Sequence, residues 1–340
     1  MLSASIKTPM GSASARLCSG VEAFSESDRR NRRTGRKKPE IRRDRSPSMS
    51  AKHPIISVTG SSGAGTTSVR RTFEQIFRRE KITAVFIEGD AFHRYAREEM
   101  MEFAKEAATT GVATPTHFGE EANLLEELEL LFKTYGEIGT GRTRHYVHDD
   151  TEAEIYGATP GTFTSWEEIP YGTDLMIYEG LHGAAKTKSV NIARFADLRI
   201  GVVPVINLEW IQKIHRDKAD RGYSPEAITD VILHRMPDYV KYICPQFTET
   251  DINFQRIPTV DTSNPFIARW IPTPDESMVV IRFKNPRGID FSYLQSMIHD
   301  SFMSRANSIV IPGGKLDLAM QLILTPMILQ LIERKRRTFF

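Results

Sequence analysis

The 340-residue sequence has few cysteines, and it lacks both a long apolar run and a strong net charge. The two cysteines, Cys18 and Cys244, are far apart, which excludes a disulfide framework and favours a reducing, cytoplasmic location. No run of about 18 apolar residues is present, so we expect no transmembrane helix and no membrane partner. The net charge of +2 is not that of a basic, nucleic-acid-binding body.

Several short enzyme motifs are also missing. No CxxC or HExxH occurs, and the scattered histidines do not have metal-ligand spacing, so we expect no zinc site. No G-x-S-x-G occurs either, which excludes the nucleophile elbow of a serine hydrolase.

The basic residues are concentrated at the start of the chain. Residues 1–48 contain 12 Lys or Arg against 5 Asp or Glu, a net of +7, and few large apolar side chains. Such a segment cannot bury enough apolar surface to fold, so we expect a disordered basic extension without a function. The natural start of the protein could be Met49, and binding of the extension to nucleic acid or an anionic surface is an alternative. We expect a single folded domain over residues 49–340.

From residue 55 onward, apolar β-branched runs alternate with segments of helical spacing. This alternation predicts an α/β domain with a mainly parallel, mixed sheet and helices on both faces. The predicted strands cover residues 55–59, 83–88, 174–180, 198–206, 278–283 and 308–312, and the predicted helices cover 68–80, 124–135, 208–221 and 315–336.

A glycine-rich segment, GSSGAGTTS, joins the first strand to the first helix. It nearly fits the P-loop pattern, in which backbone N–H groups and a helix N-terminus hold phosphate, and it predicts a P-loop NTPase-like fold of the nucleoside-monophosphate-kinase type. Thr66 replaces the usual lysine, and an ordinary Gly/Ser-rich turn is the alternative. The predicted ATP-binding residues are Gly60, Ser61, Ser62, Gly63, Ala64, Gly65, Thr66, Thr67 and Ser68, with the Thr67 hydroxyl on Mg²⁺.

Two acids follow predicted core strands, where ligands bind in open α/β sheets. Asp90 follows the second strand and Glu179 ends the third. Phosphoryl transfer needs a group that takes the acceptor proton and an acid that holds the metal. We assign Asp90 as the general base and Glu179 as the Mg²⁺-linked acid; a turn or helix-capping role is the alternative for each.

Cationic side chains surround these acids. His93, Arg94 and Arg97 follow Asp90, and a later helix places Lys213, Asp217 and Arg221 on one face, with Arg216 beside them. Tyr146 and His148 lie in a polar loop between the two acids. These groups could hold a sugar phosphate and the transferred phosphoryl group. A solvated face of salt bridges is the alternative for the helix.

Long strings then make a specific resemblance. The chain resembles the bacterial phosphoribulokinase family from about residue 49 onward through GSSGAGT, IEGDAFHR, GRTRHYVHDD, YEGLHG, VVPVINLEWIQKIHRD, DINFQR, VDTSNPFIARWIP, NPRGIDF and MSRANSIV. That resemblance implies transfer of the ATP γ-phosphoryl group to O1 of ribulose 5-phosphate, which gives the CO₂ acceptor of the Calvin cycle. It implies ATP and Mg²⁺ as cofactors, and it makes Thr66 normal for the bacterial class.

The resemblance also implies roles for individual residues. Asp90 is similar to the catalytic base and Glu179 to the metal-linked acid, while Asp217 is similar to a second acid needed for turnover. Lys213 joins the catalytic residues, and the residues similar to substrate contacts are His93, Arg97, Tyr146, His148, Arg216 and Arg221.

Regulation is implied as well. The bacterial class is typically an oligomer, often an octamer, that NADH activates and AMP inhibits. Arg79, Arg282 and Arg305 are candidate effector residues, with ordinary surface arginine as the alternative. Ala64 stands where the plant enzymes have a redox cysteine, so thioredoxin control is not expected.

Two other functions would share part of this pattern. A uridine-kinase-like enzyme would keep the loop and the base but would not need so many cations on the substrate side. A nucleotide-binding switch without turnover would have no reason to place Asp90 beside His93 and Arg97.

Overall fold

The computed structural model describes residues 52–60, 66–112, 114–203, 205–221 and 224–338. These residues fall within one compact unit, Ser46–Phe340. The prediction of a disordered extension over residues 1–48 lies outside the described residues.

An eight-stranded mixed sheet forms the centre of the protein, and a two-residue ladder lies apart from it. The strands in the described residues are β1 (Ile55–Thr59), β2 (Ala84–Glu88), β3 (Arg142–Thr143), β4 (Glu167–Glu168), β5 (Leu175–Gly180), β6 (Leu198–Val203), β7 (Ile252–Pro258), β8 (Ser277–Phe283), β9 (Phe302–Arg305) and β10 (Ser308–Pro312).

The order of strands in the main sheet is β2-β5-β1-β6-β7-β8-β10-β9. The first five are mutually parallel, and the last three add antiparallel pairings at one side. The chain leaves the central β1 for the far edge at β2 and later crosses to β6 on the other side of β1. This reversal opens a crevice at the carboxyl ends of β1 and its neighbours, which is where ligands bind in such sheets.

Helices cover both faces of the sheet, as predicted. They are α1 (Thr66–Glu80), α2 (Arg97–Thr110), α3 (Leu125–Ile138), α4 (Asp150–Tyr156), α5 (Ile206–Arg221), α6 (Pro225–Asp238), α7 (Gln246–Glu249), α8 (Phe291–Met297) and α9 (Leu316–Thr338).

Alternation along the strands divides the core between the two faces. Ile56 and Ile177 belong to the larger apolar cluster with α1 and α9, whereas Ile55 and Met176 belong to a second cluster with α3. Because successive strand residues point to opposite faces, strands buried on both sides read as continuous apolar runs. That is the pattern from which the sequence predicted a parallel sheet.

All six predicted strands and all four predicted helices are present. The strand predicted over 198–206 is shorter, because β6 ends at Val203 and α5 begins at Ile206. Pro204 follows β6, and proline has no N–H to continue a ladder. The elements that were not predicted are the strands β3, β4, β7 and β9 and the helices α2, α4, α6, α7 and α8.

The last helix also differs from the expectation that no segment of the chain is long and apolar enough to span a membrane. Residues Gly313–Thr338 are long and apolar enough, by length and composition alone, to span a membrane. In the fold this helix is a core element, since Met320, Ile323 and Leu324 are buried against the sheet and α1. The helix continues through Pro326.

Candidate active site at the carboxyl edge of the sheet

The glycine-rich segment connects the central strand to the first helix. Gly60 directly follows β1, and its N–H donates to the Gly180 carbonyl oxygen at the end of β5 (3.2 Å). The helix α1 begins at Thr66. The predicted phosphate-binding residues 61–65 and the side chains of Thr66, Thr67 and Ser68 lie outside the described residues, so their role stays a prediction.

Glu179 lies beside this segment at the carboxyl end of β5. It pairs in register with Val58 of β1 and with Glu88 of β2. Burial lowers the pKa of Arg70, but the hydrogen bond and charge of Glu88, together with Glu74 and the charge of Glu179, outweigh it and raise that pKa. Arg70 on α1 donates to Glu88 at 2.7 Å. Glu88, Glu179 and Arg70 thus form a charged group at the ends of β2 and β5 and on α1. The sequence analysis predicted only Glu179 of these three residues.

Asp90 lies on a short 3₁₀ turn, Gly89–Phe92, that follows β2. A Cβ on Gly89 would lie 2.6 Å from the Tyr178 hydroxyl and 2.7 Å from the Gly180 Cα, so only glycine allows this close approach to β5. The approach brings Asp90 to the same edge of the sheet as Glu179.

Arg144 holds the Asp90 turn in place. Its guanidinium donates to the carbonyl oxygens of Ala91 (2.8 Å) and His93 (2.6 Å). The same group lies 3.7 Å from the Phe163 ring centroid and 4.8 Å from that of Trp166. The sequence did not single out Arg144, because no local pattern shows that it reaches back 50 residues.

Two histidines face the Asp90 carboxylate. His93 Nε2 lies 3.2 Å from one carboxylate oxygen, and His148 Nε2 lies 3.8 Å from the other. Burial raises the pKa of Asp90, but the hydrogen bond and charge of His93, together with the charge of His148, outweigh it and lower that pKa to about 2. Asp90 is therefore ionised at neutral pH and is partly exposed at the crevice.

The predicted loop residues join the same cluster. Arg97 donates to the His148 carbonyl oxygen (2.7 Å), and its guanidinium lies 6.0 Å from the Tyr146 ring centroid. The Tyr146 ring meets His148 edge to face at 4.9 Å and His93 at 6.4 Å. Asp90, His93, Arg97, Tyr146 and His148 are therefore neighbours, although 58 positions separate the first from the last.

Two further histidines, the half-buried His117 and the buried His182, lie behind His93. The His117 ring centroid lies 4.3 Å from that of His93, and His182 Nε2 lies 3.2 Å from the His117 carbonyl oxygen. Burial lowers the pKa of His182 to about 4, and burial with the charge of His93 lowers the pKa of His117 well below its usual value. Both rings are therefore neutral at physiological pH, and no group of metal ligands occurs among the described residues.

The helix α5 presents the second group of predicted residues. Asp217 is 2% exposed; the Lys213 ammonium donates to one of its carboxylate oxygens, and Arg216 Nε lies 3.4 Å from the other. Burial lowers the pKa of Lys213, against the opposing hydrogen bond of Asp217. Lys213 and Asp217 do form an i,i+4 ion pair, as in the alternative of a face of salt bridges, but Asp217 is buried rather than solvated. The backbone of Arg221 ends α5, and its side chain lies outside the described residues.

Arg235 connects the two groups electrostatically. It lies on α6, and its positive charge lowers the pKa of Lys213 on α5 and also that of His117 behind Asp90. One guanidinium therefore acts on both halves of the candidate site. No sequence pattern singled out Arg235, because the helix α6 was not predicted.

The three candidate effector arginines lie away from this cluster. Arg79 on α1 donates to Thr325 on α9 (3.0 Å). Arg282 on β8 and Arg305 on β9 both pair in register with Ser308 of the strand between them. Arg282 and Arg305 are therefore neighbours across one strand, and the effector role of all three stays a prediction.

Comparison with known proteins places this geometry in a family. Residues 55–263 match the model of the phosphoribulokinase / uridine kinase family. The phosphoribulokinase of Nitrobacter vulgaris is 72% identical over 289 residues, which cover 85% of this chain and 100% of the relative. That of Xanthobacter flavus is 70% identical over 289 residues, covering 85% of this chain and 99% of the relative.

A solved structure points to the same family as these relatives. The structure of phosphoribulokinase from Rhodobacter spheroides superposes with a TM-score of 0.78 at 63% identity. The match covers 84% of this chain and 100% of that one.

Proposed function

The chain belongs to the phosphoribulokinase / uridine kinase family, and on that premise we propose that it is a phosphoribulokinase. It transfers the γ-phosphoryl group of ATP to O1 of ribulose 5-phosphate and forms ribulose 1,5-bisphosphate and ADP. The single observation that carries this proposal is 72% identity along the whole length of a phosphoribulokinase.

The site geometry supports Asp90 as the base. As the O1–phosphorus bond forms and the bond from phosphorus to ADP breaks, the O1 proton passes to a carboxylate oxygen of Asp90. The carboxylate is ionised, lies at the crevice and is held by a turn that Arg144 fixes from behind. A base must be within hydrogen-bond reach of its proton, and a turn held in place at the sheet edge favours such positioning.

The surrounding cations suit an anionic sugar. We assign His93, Arg97, Tyr146 and His148 to the sugar-phosphate side, and Arg216 and Arg221 to phosphate oxygens. Lys213 and Asp217 act as a buried pair, in which Asp217 orients the ammonium toward the transferred group. Guanidinium and ammonium groups are the usual partners of phosphate in such sites.

The metal would be held by oxygen donors. The Glu179 carboxylate, at the end of β5 beside the loop, and the Thr67 hydroxyl are the groups we assign to Mg²⁺, which prefers oxygen ligands. When bound, the ion neutralises charge on the β- and γ-phosphates. The loop residues 60–68 would hold the phosphates of ATP.

The assembly and its regulation follow from the same proposal. We expect a cytoplasmic homo-oligomer, an octamer by resemblance, that NADH activates and AMP inhibits through Arg79, Arg282 and Arg305.

A substrate panel tests the proposal. ADP release would be measured with ribulose 5-phosphate, uridine and pantothenate as acceptors, each with and without NADH. We expect turnover with ribulose 5-phosphate at least about 100-fold above the other two, since a site built to pair a phosphate rejects acceptors that lack one. Turnover with uridine alone would instead identify a uridine kinase, and no turnover with any acceptor would favour a nucleotide-binding switch.

A further inference from the structure

The amide of Asn123 lies behind the His93 ring. Asn123 is 2% exposed, and its Oδ1 lies 2.9 Å from His93 Nδ1. The backbones of the two residues also form an isolated antiparallel bridge. The opposite nitrogen of the same ring, Nε2, faces Asp90 at 3.2 Å. Asn123 thus contacts the one imidazole nitrogen that Asp90 does not.

Two backbone carbonyls determine the orientation of this amide. Asn123 Nδ2 lies 2.9 Å from the His117 carbonyl oxygen and 2.6 Å from that of Gly119. A carbonyl oxygen only accepts hydrogen bonds, so the amide nitrogen with its two hydrogens must face this pair. The amide oxygen is then the atom that faces His93.

The orientation of the amide in turn determines the tautomer of His93. An amide oxygen only accepts, so Nδ1 of His93 must carry a hydrogen. When His93 is neutral, its lone pair is on Nε2 and faces Asp90. When His93 is charged, Nε2 donates to the Asp90 carboxylate. In both states Nε2 is the nitrogen that exchanges a proton with Asp90.

We propose that Asn123 is a positioning residue that holds His93 as the Nδ1–H tautomer, so that Nε2 can receive the proton that Asp90 takes from the sugar. The inference rests on the proposed function of Asp90 as base. The proton leaves the O1 hydroxyl for a carboxylate oxygen of Asp90, and Nε2 of a neutral His93, whose lone pair faces that carboxylate, then accepts it. The products of that transfer are an imidazolium and a regenerated carboxylate, and no other reactant is needed.

Other groups face this pair and are part of its electrostatic setting. His148 faces the second Asp90 oxygen, and the rings of His117 and Tyr146 lie against the His93 ring. The charge of Asp90 also acts on Tyr178, and His182 contacts the His117 backbone. The nearby cations are Arg97, which binds the His148 carbonyl, Arg144, which binds the His93 carbonyl, and Arg235, whose charge acts on His117. None of the described contacts of these groups reaches His93 Nδ1, which leaves Asn123 as its partner.

A neutron crystal structure of the perdeuterated full-length protein tests the tautomer directly. We expect deuterium on His93 Nδ1 and both amide deuterons of Asn123 directed at the His117 and Gly119 carbonyls. A bare Nδ1 overturns the proposal. This readout does not depend on turnover, so it separates failure of the inference from failure of the proposed function, which the wild-type assay with ribulose 5-phosphate decides.

Two variants test the consequence for catalysis. Asn123→Asp and Asn123→Leu both lose the two bonds to the carbonyls, but only the aspartate keeps an acceptor for Nδ1–H. We expect kcat to fall about 100-fold in Asn123→Leu and less than about tenfold in Asn123→Asp, because a correctly presented general base contributes about 10²–10⁴-fold. The thermal midpoints of the two variants should fall by similar amounts.

A matched control is available on β7. Asn253 is also a buried asparagine; its Nδ2 donates to the Phe247 carbonyl oxygen, and its Oδ1 accepts from the Thr250 hydroxyl. Asn253→Leu should lower the thermal midpoint but change kcat less than about threefold. Equal losses of kcat in the two Asn123 variants, or an equal loss in Asn253→Leu, would mean a structural role only and would overturn the proposal. If Asn123→Leu does not fold, Asn123→Asp and the neutron structure still decide.

Discussion

The low pKa of Asp90 makes its carboxylate a weak base, whereas its position at the carboxyl edge of the sheet suits the role of a base. A group whose pKa is lowered to about 2 does not remove an alcohol proton before the reaction begins. The proton must therefore move late, as the new O1–phosphorus bond makes the hydroxyl acidic. At the scale of single residues, the histidines that lower the pKa also keep Asp90 ionised and ready throughout the physiological range.

Removal of the Asp90 charge should abolish most turnover. In Asp90→Asn we expect kcat to fall at least about 10³-fold, because both the base and its positioning are lost, while the KM for ATP changes less than about threefold. Steady-state ADP release measures both constants. Asp230→Asn, which changes an exposed aspartate on α6, serves as the control. A kcat within tenfold of wild type would refute the role of Asp90 as base.

The buried histidines predict a loss of stability in acid. Burial lowers the pKa of His182 to about 4, so between about pH 6.5 and 4 the unfolded chain binds a proton that the folded state does not. The contribution is complete above pH 6.5 and is lost as the pH falls toward 4, by about 3 kcal/mol in total. His117 acts in the same direction.

Urea unfolding at several pH values tests this effect. His182→Asn should reduce the slope of the free energy of unfolding against pH by up to about 1.4 kcal/mol per pH unit between pH 6.5 and 4. The exposed His299 provides the control, since His299→Asn should leave the slope unchanged. An unchanged slope in His182→Asn would show that the ring is charged in the folded state.

At the scale of secondary-structure elements, α5 and the segments after β2 and β3 carry different groups. The segment after β2 holds Asp90 and His93, the segment after β3 holds Tyr146 and His148, and α5 holds the ion pair Lys213–Asp217. A buried ion pair contributes little net stability, because desolvation offsets the attraction, but loss of one partner is costly. The pair Lys213–Asp217 therefore suits a functional role better than a structural one.

A double-variant experiment separates the two roles. Lys213→Met should lower the free energy of unfolding by about 3 kcal/mol, because Asp217 remains buried with less compensation. The double variant Lys213→Met/Asp217→Asn should recover most of that stability, since both charges are gone, yet its kcat should stay at least about 100-fold below wild type. Denaturant titration and ADP release measure the two effects. Recovery of activity together with stability would show that the pair is structural.

At the scale of the whole molecule, one sheet and the apolar clusters packed against it and between α5 and α6 position the site. The helix α9 has the length and composition of a membrane span, yet the fold uses it as the cover of the larger cluster. Ile323, in the middle of α9, is 3% exposed, whereas Leu329 is 39% exposed. One side of α9 is therefore buried in the core, and the side that carries Leu329 is exposed.

Two alanine substitutions distinguish these surroundings. Ile323→Ala should lower the free energy of unfolding by about 2–5 kcal/mol through lost burial and a cavity, and Leu329→Ala should change it by about 0.5 kcal/mol. Chemical denaturation of the detergent-free protein measures both. Equal effects would mean that α9 is not seated in the core as described.

The parts of this architecture that follow a local pattern could be predicted from the sequence. Continuous apolar runs predicted the buried strands, and the acids after them predicted Asp90 and Glu179 at one edge. Contacts between distant segments could not be predicted in this way. Arg144 and Asn123 reach His93 from 51 and 30 positions away, and β7 has too mixed a pattern to be recognised as a strand before its neighbours are known.

The packing of α9 against α1 has a consequence for the order in which the protein matures. Thr72 contacts Met320, and Gln321 donates to Gln75 (2.7 Å), across 248 and 246 positions of sequence. The helix that follows the glycine-rich segment therefore gains its neighbour α9 only after nearly the whole chain has been synthesised. Contacts so distant in sequence form slowly. A ribosome-bound chain that ends before α9 should therefore bind ATP more weakly than the released full-length chain.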